Sequence, residues 1–156
     1  MRVMRKSLRL IDSDLEIRVR RDLAFLFEEY GAAVTANTVE PFGNSEVMVE
    51  TRSLVLRFAI NERDADYRVL VAPRDGHGVW ELLHVALAAA TGEDPTSLIT
   101  PFAYSDSPSA PNYLGLTRVA AVLRSRFERL DRAFMPGNYP ATRSRMVHIE
   151  RKLHPR

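Results

Sequence analysis

The sequence predicts an α+β domain in which an antiparallel meander of three or four strands is packed on one face by about three helices. Three observations predict this class. Apolar residues recur with a helical period in the N-terminal part of the chain and again in its second half. Between these two parts, apolar residues recur with the period of two that is typical of strands. The strand segments follow one another directly along the chain. The expected order of elements is therefore α-β-β-β-β-α-α.

Composition places the chain among globular proteins. It has 156 residues, of which 46% are hydrophobic and 27% charged, and this fits one domain. No apolar run is long enough to cross a membrane and no secretory signal follows the basic start, so we expect a cytoplasmic protein without a membrane partner. Because the chain has no cysteine, disulfides, thiolate catalysis and zinc–thiolate sites are excluded.

Positive charge is concentrated at the two ends of the chain. Residues 1–10 contain four Lys or Arg and no acid, and residues 135–156 contain five basic residues and one acid. The segment between them has 13 basic and 19 acidic residues, a net charge of −6. We therefore divide the chain into a basic N-terminal arm (1–12), a single α+β domain (13–134) and a basic C-terminal tail. The basic ends are either solvated or bind phosphate groups.

The first helix is predicted within SDLEIRVRRDLAFLFEEYG, residues 13–31. Ser13 and Glu16 have the spacing of a capping box, and Gly31 stands where helices commonly end in a left-handed residue. One apolar stripe of this helix is expected to be buried: Leu15, Val19, Leu23, Leu26, Phe27 and Tyr30.

Four short segments with a period of two follow the first helix. AAVTANTV is the first; SEVMVET and LVLRFAI are joined by only two residues and therefore form a hairpin; YRVLVAP is the fourth. Alternate residues of the third segment point to the core, namely Leu54, Leu56, Phe58 and Ile60. The residues between them, Arg57 included, face the other side of the sheet, which we expect to be partly exposed.

The second half of the chain is predicted to be helical around one long loop. GVWELLHVALAAATG, residues 78–92, forms a helix that ends at its last glycine. The loop 93–112 has four prolines and a single helical turn starting at its Asp-Pro pair. A third helix runs through residues 112–134, and a faint amphipathic stretch, SRMVHIERKLH, lies in the tail.

No stretch of the sequence carries a specific catalytic, metal or phosphate signature. The four histidines lack metal-ligand spacing, and glycine-rich phosphate loops and nucleophile elbows are missing. We therefore predict no catalytic residue, no metal and no cofactor. Acid–base chemistry by Asp75 and His77 in RDGHG is left open, although a strand-to-helix connection explains that stretch more simply.

The stretches FLFEEYG, PFGNSEVMVE and LVLRFAINER, within residues 20–72, resemble the N-terminal part of a group of small bacterial α+β proteins. Some members of that group resemble immunity proteins that accompany secreted polymorphic toxins. The shared elements are a helix end, a turn and a hairpin, and they transfer no catalytic residue. The resemblance implies a bacterial protein that acts by binding.

These observations favour a non-enzymatic protein-binding domain, immunity-like or adaptor-like. Its candidate contact residues are Arg57 and Arg68 on the non-core side of the strands, and Phe102 and Tyr104 in the loop. An alternative role for the two aromatic residues is to hold the loop against the core. The uncovered edge of the meander also makes a homodimer conceivable.

The alternative function is nucleic-acid binding through the basic ends and the third helix. The candidate residues of that helix are Arg118, Arg124, Arg129 and Arg132. Acidic residues alternate with these arginines, a pattern that is also typical of a solvated helix face.

Overall fold

The computed structural model describes residues 15–40, 44–61, 66–76, 78–102 and 116–155. It confirms the predicted α+β class: an antiparallel sheet is packed on one face by helices. The helical part is divided into more helices than the sequence predicts, and the sheet has a fifth strand.

The N-terminal helix consists of two pieces. Helix α1 spans residues 15–22 and helix α2 is Ala24–Glu29, with Leu23 in a turn between them. The amide of Leu26 donates to the carbonyl of Leu23, only three residues back, and the neighbours Phe25 and Leu26 are both buried. Gly31 follows with a φ of 64°, the left-handed conformation that the sequence predicts.

The sheet is an antiparallel meander in chain order. Its strands are β1 (Ala33–Glu40), β2 (Asn44–Glu50), β3 (Leu54–Asn61), β4 (Asp66–Pro73) and β5 (Glu81–Leu82). The first four strands confirm the predicted segments. Strand β5 lies in a stretch that the sequence analysis assigned to a helix, and it pairs only with Leu70 and Val71 of β4.

The two faces of the sheet differ in burial. The face that we call the inner face carries the core residues of the strands: Val47, Val49, Leu54, Leu56, Phe58, Ile60 and Val71. The opposite face, which we call the outer face, carries the residues between them, most of which are only half-buried in β2 and β3. This alternation confirms the predicted orientation of Arg57.

Five helices follow the sheet and build the helical layer. They are α3 (Leu83–Thr91), α4 (Pro95–Phe102), α5 (Leu116–Arg124), α6 (Phe127–Ala133) and α7 (Tyr139–Leu153). Helix α3 is apolar and buried on nearly all sides, and it packs against α4, α6 and α7. It ends at Gly92, whose φ of 78° matches the predicted glycine stop. Among the helices of the described ranges, none is long and apolar enough to span a membrane.

Three helix boundaries differ from the sequence prediction. Helix α3 begins at Leu83 rather than near residue 78, because the preceding residues form β5 and leave Val79 exposed. Helix α4 extends the predicted single turn to eight residues, and the Asp94 carboxylate accepts the amide of Thr96, 2.9 Å away. The predicted third helix is broken into α5 and α6 by a turn at residues 125–126.

The C-terminal segment, which the sequence analysis treated as a basic tail, contains the longest described helix and packs on α3. Met146 is buried, and the hydroxyl of Thr142 donates to the carbonyl of Ala133 at 2.8 Å. The guanidinium of Arg145 donates to the carbonyl of Ala89 in α3 at 2.9 Å. Residues 139–153 therefore form part of the helical layer.

A buried carboxylate joins the β2–β3 turn to the helical layer. Asp131 in α6 is only 3% exposed. Its carboxylate accepts the hydroxyl of Ser53 and lies 2.6 Å from the guanidinium of Arg52. The carbonyl of Ser53 in turn accepts the amide of Arg74 at 2.9 Å, so Asp131 fixes the end of the hairpin next to the end of β4.

We expect Asp131→Ala to lower the free energy of unfolding by about 2–3 kcal/mol, because it leaves the buried hydroxyl of Ser53 without its carboxylate partner. Urea denaturation followed by circular dichroism measures this change. The control is Arg132→Ala in the same helix, which removes an exposed ion pair with Glu128 and should cost less than about 0.5 kcal/mol. Equal losses for the two variants would contradict the assigned role of Asp131.

Candidate functional site

A row of four side chains crosses the outer face of the sheet. Met48, Arg57, Leu70 and Leu82 are aligned partners on β2, β3, β4 and β5. Each is half-buried, and Leu82 also packs against the hydrophobic core. We call this row together with Trp80 the outer surface. It places a cation at the centre of an apolar strip.

Arg57 is held in position from two sides. Its guanidinium lies 2.6 Å from the carboxylate of Glu46, and its Cζ lies 5.6 Å from the ring centroid of Trp80. That distance is within the range of a cation–π interaction. The side chain of Arg57 is 32% exposed and that of Glu46 25% exposed, so the ion pair is only partly screened by solvent.

Trp80 is the aromatic residue of the outer surface. It is 38% exposed and directly precedes β5. Its ring stacks on a fixed arginine, yet much of its surface stays in solvent. Such a tryptophan offers a partner a large contact area, and binding costs little conformational entropy of the side chain.

Charges of both signs border the outer surface. Glu50 and Arg74 form an ion pair of 2.6 Å at one end of the strands, and Arg68 is exposed at a position paired with Ala59. The border is polar, and the row inside it is apolar apart from Arg57. A polar border around a mainly apolar centre is the usual layout of a protein-binding surface.

The segment before Trp80 is positioned by a close approach at Gly78. A β-carbon on Gly78 would overlap the ring of Pro73 and would lie 2.6 Å from the hydroxyl oxygen of Tyr139. Only glycine therefore fits between the end of β4 and the start of α7 without a shift of the neighbours.

A pair of carboxyl groups lies behind Trp80, on the inner side of the sheet. Glu81 is aligned with the buried Val71 and is half-buried, and its side chain shares a hydrogen bond with Glu150 of α7. Burial first, and then the hydrogen bond with Glu150, raise the pKa of Glu81 to about 7. The sequence analysis missed this pair because the two residues are far apart in the chain.

A histidine accompanies the carboxyl pair. Burial lowers the pKa of His84, and the positive charge of His154 lowers it further, whereas the Glu150 carboxylate opposes the shift. The Glu150 carboxylate therefore lies near this histidine. In the described part of the chain, however, no group of three or more histidines and carboxylates could hold a metal ion.

A concave region of about 570 Å³ lies where α2, the β2–β3 turn and α6 meet. It is lined by Glu29, Tyr30, Thr51, Arg52, Glu128 and Asp131. Its carboxylates are paired with arginines at 2.6 to 3.8 Å. Burial, and then the negative charge of these carboxylates, raise the pKa of Tyr30. We interpret this region as the structural junction around Asp131.

The structure brings two of the four predicted partner-binding residues together. Arg57 and Arg68 lie on the same face of neighbouring strands. Phe102 is the last residue of α4, and Tyr104 lies outside the described residues, as does His77. Asp75 is exposed in the turn after β4.

The four candidate nucleic-acid-binding arginines are exposed but lie on two helices. Arg118 and Arg124 belong to α5, and Arg129 and Arg132 belong to α6. Arg124 lies 3.8 Å from Glu29, and Arg132 lies 3.4 Å from Glu128. Two of the four charges are thus partly neutralised by neighbouring carboxylates.

Trp80 is the main residue of the outer surface that sequence reasoning missed. The sequence analysis placed it within the predicted helix 78–92, whereas the structure places it before a strand. Gly78 is the residue of the sequence that could have indicated this position, because glycine suits the start of a strand better than the interior of a helix.

Comparison of the chain with protein-family models, with curated proteins and with solved structures finds no match. The resemblance to immunity-like proteins stays a prediction.

We expect Gly78→Ala to lower the free energy of unfolding by about 1–3 kcal/mol, because the added methyl group overpacks the contact with Pro73 and Tyr139. Thermal or urea denaturation measures the loss. Gly137→Ala is the matched control, since a β-carbon there meets nothing within 4 Å and should leave stability unchanged. Similar stabilities for the two variants would show that Gly78 has room for a side chain.

Proposed function

We propose that this protein is a binding module for another protein and that it presents the outer surface to that partner. The observation that carries the proposal is the exposed Trp80, whose ring stacks on Arg57 of the outer row. Tryptophan and arginine are the residue types that most often dominate protein–protein binding energies.

The arrangement of Arg57 supports this role through pre-organisation. Glu46 and Trp80 fix the guanidinium before any partner arrives, so binding loses less side-chain entropy than it would with a freely moving arginine. The half-buried Met48 and Leu70 on either side add apolar area that a partner can cover.

The partner that fits this surface is a folded protein with an apolar centre and a rim of mixed charge. Its apolar centre would cover Trp80 and the row around Arg57, while acidic and basic rim groups would meet Arg68 and the Glu50–Arg74 pair. Such a partner agrees with the immunity-like or adaptor-like hypothesis. It is chemically different from a nucleic acid, which is bound mainly through its phosphates.

We expect Trp80→Ala to weaken retention of the partner at least tenfold, since truncation of a central interface tryptophan typically costs 2 kcal/mol or more, about a 30-fold change in affinity. The measurement uses tagged protein incubated with lysate of the native host, and quantitative mass spectrometry of what is retained. Arg57→Ala should act in the same direction.

Val147→Ala is the matched control, because Val147 is as exposed as Trp80 but lies on α7, on the helical side of the molecule. It should retain the partner fully. Undiminished retention by both Trp80→Ala and Arg57→Ala would overturn the proposal.

The salt dependence of retention separates the proposed function from nucleic-acid binding. A protein held by the outer surface should be retained at about 50 mM and at about 300 mM salt. Nucleic acid held by the arginines of α5 and α6 should be lost at the higher concentration, because each neutralised phosphate steepens the salt dependence. Predominant recovery of salt-sensitive nucleic acid would favour the alternative function.

A further inference from the structure

The exposed side of helix α7 carries cations and no carboxylate. Successive residues of a helix are turned by about 100°, and the buried Thr142 and Met146 mark the side that packs on the core. From Ala141 to the end of the helix, the exposed residues form what we call the basic face: Ala141, Ser144, Arg145, Val147, His148, Arg151 and Lys152. Glu150, the one acidic residue of α7, is half-buried and lies on the core side.

The cations of the basic face are not neutralised within the described ranges. Several exposed arginines elsewhere are paired with carboxylates, among them Arg20, Arg52, Arg74 and Arg132. Arg151 and Lys152 form no ion pair with a described residue. Arg145 donates to the carbonyl of Ala89 at 2.9 Å, which fixes the side chain but leaves its charge uncompensated.

The density of these cations matches that of a regular polyanion. Arg145 and Lys152 are seven residues apart, a rise of about 10.5 Å along the helix axis. With Arg151 between them, the basic face has roughly one positive charge per 3.5 Å. Each strand of duplex DNA carries one negative charge per about 3.4 Å. A phosphate backbone that follows α7 can therefore meet all three cations at once.

The remaining residues of the basic face determine the kind of contact. Ala141, Ser144 and Val147 are small, so a phosphate backbone can approach the helix closely between the cations. The face has no aromatic residue on which bases could stack. Contacts with phosphates alone carry no sequence information. The basic face therefore suits binding to the backbone of a duplex, independent of sequence.

A lipid surface fits the basic face less well. A helix that lies in a membrane interface buries its apolar side among the lipids. The apolar side of α7 is already packed against the core through Met146, Ile149 and Leu153. Such a helix could reach a lipid surface only through its charges.

We propose that the basic face of α7 binds the phosphate backbone of double-stranded nucleic acid without sequence preference. This inference goes beyond the proposed function and does not rest on it, because α7 belongs to the helical layer, whereas Trp80 and Arg57 lie on the outer face of the sheet. It also assigns the contact to α7 rather than to the arginines of α5 and α6.

Fluorescence anisotropy of a labelled DNA duplex of about 20 base pairs, titrated with the intact protein at several salt concentrations, tests the proposal. With three phosphates neutralised, the logarithm of the affinity should fall against the logarithm of the salt concentration with a slope of about −2.7. This slope corresponds to roughly 40-fold weaker binding at 200 mM than at 50 mM salt. A duplex of the same length and unrelated sequence should bind equally well, within about twofold.

Arg151→Ala combined with Lys152→Ala removes two of the three cations. The slope should fall to about −0.9, and binding at 50 mM salt should weaken at least about tenfold. Ser144→Glu is an independent second variant, because it adds a carboxylate to the basic face and leaves every cation in place. It should also weaken binding, and circular dichroism verifies that both variants are folded.

Arg118→Ala combined with Arg129→Ala is the matched control. It removes the same charge from exposed positions of α5 and α6, so it should keep a slope near −2.7. Absence of duplex binding at 50 mM salt would refute the proposal. A slope that the α7 variants leave unchanged, or that falls only in the control, would refute it as well. So would tighter binding to phosphatidylserine vesicles than to the duplex.

The same variants keep this inference distinguishable from the proposed function. Arg151→Ala combined with Lys152→Ala should retain the protein partner fully, and Trp80→Ala should bind the duplex as the unmodified protein does. Loss of duplex binding with intact partner retention, or the reverse, therefore identifies which of the two surfaces a variant affects.

Discussion

The burial of helix α3 is the constraint on which the rest of the structure depends. Its apolar residues face every direction, so they must be covered by the sheet on one side and by α4, α6 and α7 on the others. All these helices consequently gather on the inner face. The opposite face of the sheet is covered by none of the described helices, and this one-sided packing creates the outer surface around Arg57 and Trp80.

Polar contacts of Asp131 then fix the sheet relative to the helical layer. Asp131 holds the β2–β3 turn through Ser53 and Arg52. At the other edge of the sheet, burial and a hydrogen bond with Glu150 raise the pKa of Glu81 in β5.

The sequence predicted the elements whose apolar period is long or whose ends carry specific residues, such as the β2–β3 hairpin and the glycine stops at Gly31 and Gly92. It did not predict β5, because two residues have no period. It also predicted one helix where α5 and α6 are two, since a short turn at residues 125–126 leaves the apolar stripe on the same side. The candidate site was predicted through Arg57 and Arg68, while contacts between distant residues, such as Glu81 with Glu150, leave no local signal.

Hydroxyl-radical footprinting of the protein alone and with its retained partner would test most directly whether the outer face is the binding surface. Trp80 and Met48 both react readily and both lie on that face, whereas Ile17 and Val147 are exposed away from it. The account predicts that the partner lowers oxidation of Trp80 and Met48 severalfold and leaves Ile17 and Val147 unchanged. Protection of Ile17 or Val147, with Trp80 and Met48 as reactive as in the free protein, would contradict it.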